Sequence, residues 1–128
     1  MKKKILCTFT GIIAAVLATA VCAEKISYQT CTKISGHLNS TYPMAMNRYV
    51  TLVSSYCSGY NGVPSLHYIY HTEFEELQAG ENDRKRNAYC TNKDGQVLLR
   101  ILDAIYVHYS SPSGKEIGVF EIRQGDCR

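Results

Sequence analysis

Four cysteines, Cys31, Cys57, Cys90 and Cys127, are spread across the last hundred residues of a 128-residue chain, and they limit what it can fold into more than any other feature. Their spacings of 26, 33 and 37 residues contain no C-x-x-C knuckle of the kind that zinc needs. An even number in a short exported chain points instead to a disulfide framework, for which four cysteines allow three connectivities. A domain near a hundred residues buries a real core but stays marginally stable. Two bridges, each contributing roughly 2–4 kcal/mol, would therefore matter.

The other two cysteines, Cys7 and Cys22, fall in a leader. Lys2, Lys3 and Lys4 form a positive n-region, Ile5 to Val21 is almost wholly apolar, and Val21-Cys22-Ala23 supplies a small-residue cleavage pattern. We read residues 1–23 as a signal peptide and residues 24–128 as one domain starting at Glu24. The apolar run is shorter and differently flanked than a membrane anchor of about 20 residues. Acylation at Cys22 would put the bulky Val21 where lipoprotein processing wants a small residue, and cleavage after Ala20 would leave an odd cysteine. The expected location is periplasmic or secreted, without stable membrane insertion once the signal is cut.

Removing the leader changes the charge. The whole chain carries fourteen basic and eleven acidic residues. Three of the basic ones are Lys2, Lys3 and Lys4, which leaves eleven against eleven. A nucleic-acid partner needs a basic excess, so none is expected.

Ile26 to about Ser40 has helical spacing through Ile26, Cys31, Ile34 and Leu38. Asn47 to Cys57 is rich in β-branched and aromatic residues and reads as a strand. Ser58 to Pro64 is dense in turn residues, and Leu66 to Thr72 alternates, which predicts a first hairpin. Glu73 to Cys90 reads as partly helical with an interruption at Gly80. Asn92 to Gly95 reads as a turn, and Gln96 to Ala104 as a short helix. Ile105 to Ser110, a Ser111–Gly114 turn and Ile117 to Arg123 form a second hairpin. The expected fold is α+β, α-β-β-α-β-β in order, a small antiparallel four-stranded sheet of two hairpins with helices on one face. On that arrangement Cys90–Cys127 closes the second half and Cys31–Cys57 ties the first helix to the first strand.

Several pieces resemble a group of short, exported, functionally uncharacterised proteins of Gram-negative bacteria. They are Pro43, Thr51-Leu52, the Leu66-His67-Tyr68-Ile69-Tyr70 strand, Cys90, Leu98 to Asp103, Val107-His108-Tyr109, Gly114-Lys115-Glu116-Ile117 and the terminal Asp126-Cys127. The likeness spans about residues 38–127, with Val107 where a tyrosine is usual and with Cys31 and Cys57 as an additional pair. It implies a fold and an envelope location, and no activity. Cys57-Ser58-Gly59-Tyr60 with Gly62-Val63 is also similar to a stretch of the periplasmic immunity proteins that neutralise type VI secretion amidases, although their tails are helical.

No motif names a reaction. The serines lack a G-x-S-x-G elbow and no phosphate-cradling loop is present. His67 and His71, followed by Glu75, would line a helix as zinc ligands do. On a strand they stand about 13 Å apart, too far for one metal. We therefore expect a non-catalytic protein, without cofactor or metal, that binds an unknown protein or envelope component. Tyrosine suits such surfaces, and all ten tyrosines follow the leader. The candidate contact residues are Tyr56, Tyr60, Asn61, His67 and His71. The alternatives are an inhibitor or immunity protein against an amidase-type hydrolase, and a small metal-dependent hydrolase using His67 and His71.

Overall fold

The computed structural model describes residues 25–59 and 61–127. The signal peptide read over Met1 to Ala23, and Tyr60 among the candidate contact residues, lie outside the described residues.

Helix α1 spans Tyr28–Asn39 and starts where the Ser27 side chain accepts a hydrogen bond from the Thr30 backbone N–H, an ordinary N-cap. It buries Cys31, Ile34, Ser35 and Leu38, a stripe one helical turn apart along a single face. Strands β1 (Met44–Ala45), β2 (Val50–Ser58) and β3 (Ser65–Thr72) follow, then α2 (Glu81–Thr91), α3 (Lys93–Ile101), β4 (Ile105–Ser110), β5 (Glu116–Ile122) and a short 3-10 turn at Gln124–Asp126.

The sheet has five strands in chain order β1-β2-β3-β4-β5, which corrects the expected four-stranded antiparallel arrangement twice. First, β1 is added at the β2 edge, with Met44 opposite Leu52 and Ala45 opposite Thr51. A two-residue strand is too short to leave an alternation pattern. Second, the hairpins β2–β3 and β4–β5 are antiparallel, but β3 and β4 run parallel, from Leu66 opposite Ile105 to His71 opposite Ser110. Helices α2 and α3 fill the connection and carry the chain back to the end of the sheet at which β3 began, which is what a parallel pair requires.

The alternation of β3 decides the faces. Leu66, Tyr68, Tyr70 and Thr72 are buried, as are Ile105, Val107 and Tyr109 beside them on β4. All three helices of the described residues cover this face: Ile34 and Leu38 of α1 and Leu98, Leu99 and Ile101 of α3 complete the core. His67, Ile69, His71, Tyr106 and His108 point to the other side, which no helix among the described residues covers.

Two helices meet differently from the sequence expectation. Gly80, read as an interruption, has φ of 81° and stands immediately before α2 as its N-cap, a conformation that glycine adopts without strain. Asn92 to Gly95, read as a turn, is the cap and first turn of α3, with the Asn92 side chain accepting from the Gly95 N–H at 3.1 Å. Gly95 must be small, because a Cβ there would lie 2.5 Å from the Tyr89 carbonyl oxygen. Two disulfides complete the frame. Cys31–Cys57 joins α1 to β2 across a Cα separation of 6.3 Å, and Cys90–Cys127 joins the end of α2 to the chain end across 5.2 Å.

Candidate functional site

Two constructions stand out, one on each side of the sheet. On the helical side a groove of about 370 Å³ opens between the end of α1 and the α2–α3 pair, within the size range of ligand pockets. Leu52, Tyr68 and Tyr70 form its floor, Tyr42 one wall, Tyr89 and Leu98 the other, and Met44 and Met46 its rim. The two methionines are 42% and 44% exposed, and methionine adapts its shape to varied partners. The rings are organised among themselves: Tyr68 lies 5.7 Å from Tyr89 and the Tyr70 and Tyr89 hydroxyls are 3.3 Å apart. Burial raises the pKa of Tyr42, Tyr68, Tyr70 and Tyr89, so all four remain neutral phenols able to donate.

Helix α2 forms one side of this groove and none of its residues is fully buried. Polar anchors hold it instead. The Lys85 ammonium sits 4.3 Å from the centre of the Tyr70 ring, and the buried Tyr109 donates to Glu81 Oε2 at 2.8 Å. Burial works to raise the Glu81 carboxyl, but hydrogen bonds from Arg84 and Tyr109 outweigh it and hold the pKa low.

The opposite side carries a chain of side-chain hydrogen bonds across four strands. Ser58 Oγ is 2.8 Å from His67 Nε2, His67 Nδ1 is 2.8 Å from His108 Nε2, and His108 Nδ1 is 3.3 Å from Glu116 Oε1. The protons follow from the end group. A Glu116 carboxylate only accepts, so His108 carries its proton on Nδ1, His67 does likewise, and the Ser58 hydroxyl donates to His67. Tyr56 and Tyr106 sandwich His67 at 4.4 and 4.6 Å, nearly parallel to it. Burial first, then the neighbouring His108, pushes His67 down to about 4. A hydroxyl aimed at a neutral imidazole is the opening of a nucleophilic relay, but a base this weak is far from the neutral range where general bases work best. The chain acts as a lock that ties β2, β3, β4 and β5 together.

Of the residues singled out in the sequence, Tyr56, His67 and His71 come to the uncovered side and Asn61 is exposed at the tip of the first hairpin. None of them lines the groove. His67 and His71 have separate partners, the latter bonding Ser110 at 3.2 Å. Among the described residues no group of three or more His, Cys, Asp or Glu side chains is arranged to hold a metal ion. The groove tyrosines and Asp94 escaped the sequence reading. Tyr68 and Tyr70 show there as one face of a strand, but nothing in the sequence distinguishes covered core from groove floor. His108 escaped because its bond to His67 links residues 41 apart through a parallel register.

No family model and no curated protein matches the chain. Solved structures share its fold at low identity. A candidate secreted protein of Pseudomonas aeruginosa superposes with a TM-score of 0.65 at 13% identity, over 79% of this chain and 92% of that one. The type 2 secretion system pilotin EpsS of Vibrio vulnificus gives 0.61 at 14%, over 79% and 91%. The type II secretion system pilotin AspS of Vibrio cholerae gives 0.56 at 13%, over 91% and 100%. These likenesses establish a shared fold.

Proposed function

We propose that this is an exported, non-catalytic protein that binds another envelope protein by receiving one of its polypeptide segments in the tyrosine-walled groove. The groove carries the reading. It is large enough for several side chains, apolar at its floor, lined with neutral hydroxyl donors, and rimmed by exposed methionines, the composition of a peptide-binding cleft. The fold it shares with two secretion-system pilotins is consistent with a partner in the cell envelope. Residues 1–23 as a cleaved signal and two disulfides agree with an oxidising compartment, periplasmic or extracellular. Among the described residues no helix is long and apolar enough to cross a membrane.

A photo-crosslinking amino acid at Met46 or Ala88 tests this in living cells, with Val119 on the uncovered side as the control position. The expected outcome is one adduct shared by the two groove positions and absent at Val119. Adducts that form at Val119 and not in the groove would move the interface to the other side of the sheet and overturn the reading. If the captured protein is a hydrolase whose activity falls on binding, the inhibitor alternative takes over.

A further inference from the structure

One wall of the groove holds a carboxylate that no cationic side chain of the described residues pairs with. Asp94 lies in the first turn of α3 and lines the groove. Its Oδ1 is shut off from solvent and has no hydrogen-bond partner, and the side chain makes no ion pair among the described residues. The cation on the facing helix is already engaged, because Lys85 rests on the Tyr70 ring and feels the Glu81 charge. The carboxylate lies close enough to the Tyr68 phenol for its charge to oppose ionisation of that hydroxyl.

Covering such a groove strips the remaining water from Asp94. An occupant with apolar side chains alone would leave a desolvated, unpaired carboxylate, a large penalty, whereas a cation brought against it turns the penalty into a charge-assisted hydrogen bond. We propose that the segment bound in the groove carries a lysine or arginine among its apolar residues, and that Asp94 receives this cation and sets the register of binding. The inference rests on the groove reading above.

Selection from a random-peptide display library tests it against three oxidised proteins: wild type, Ala88→Trp to obstruct the groove, and Asp94→Asn, each first shown to melt like wild type. Peptides that bind wild type and lose Ala88→Trp are the groove-dependent set. Within it we expect a basic residue flanked by apolar ones. Replacing that residue by norleucine should weaken binding to wild type on the order of tenfold and leave binding to Asp94→Asn unchanged. Groove-dependent peptides without a basic residue, or a lysine preference that survives in Asp94→Asn, would overturn the role of Asp94 while leaving the groove reading intact. If no peptide depends on the groove, the groove reading itself fails. Self-association abolished by Ala88→Trp would make a second copy the occupant and overturn the proposal.

Discussion

Asn39 stands in for a missing strand. The β1 pairing ends at Leu52, so farther along β2 the edge facing α1 has no strand beside it. The Asn39 side chain meets both backbone groups of Ser55, accepting from its N–H at 2.8 Å and donating to its carbonyl at 3.0 Å, while Ser35 donates to the same carbonyl at 2.9 Å. Replacing Asn39 with leucine strands part of this set, and urea unfolding should show a loss of about 1–3 kcal/mol; a change within a few tenths would mean that water substitutes freely. His67 gives a second residue-level expectation, in pH. Its proton binds near 4 in the folded protein and near 6.5 in the unfolded chain. Between those values the unfolded state holds more protons, so stability falls as pH drops from about 6.5 to about 4, with no further effect outside that window. The ring is partly exposed, which keeps the effect modest. His67→Gln should flatten the dependence of the urea midpoint on pH across this window, and an undiminished slope would assign the acid sensitivity elsewhere.

At the scale of elements the three helices of the described residues differ in what holds them. Helix α1 contributes an apolar stripe to the core and α3 contributes Leu98, Leu99 and Ile101, whereas α2 buries no residue fully. Its anchors are polar, apart from the close packing of Tyr89 on Gly95 and the Cys90–Cys127 bridge. Replacing both of those cysteines with serine should raise amide exchange across residues 81–91 well before it raises exchange in β3 or β4. Equal protection in α2 and the sheet would show that the polar anchors suffice. The same contrast explains what was readable in the sequence. Strands β3 and β4 and helix α1 declare themselves by periodicity, since each shows one face to a core, whereas β2, whose register shifts between Leu52 and Ser54, shows in its β-branched and aromatic composition. The short β1 has no room for a period, and α2, polar all round, could be placed only by composition. The groove is made by what α2 fails to cover, and such gaps leave no mark in a linear sequence. Nor do the neighbours of His67, because they depend on which strands lie side by side.

For the molecule as a whole, the sheet separates a helix-covered side that holds the groove from a side whose side chains are hydrogen-bonded to one another. The parallel contact of β3 with β4 joins the two hairpins into one surface, and the long α2–α3 connection is the topological cost of that contact. Folding accordingly waits on a non-local pairing between residues about 40 apart, which slows it relative to a simple meander. The disulfides fall on either side of this late step, Cys31–Cys57 within the first half and Cys90–Cys127 across the second. The two bonds follow one another along the chain and do not interlace. With residues 1–23 read as a cleaved signal, a polypeptide threaded N-terminus first through a pore presents Cys57 as the earliest partner for Cys31 and then Cys127 as the partner for Cys90 among the described cysteines. On that reading each described cysteine is bonded to the next one to emerge, and an oxidase acting on successive pairs would form the native bonds without isomerisation.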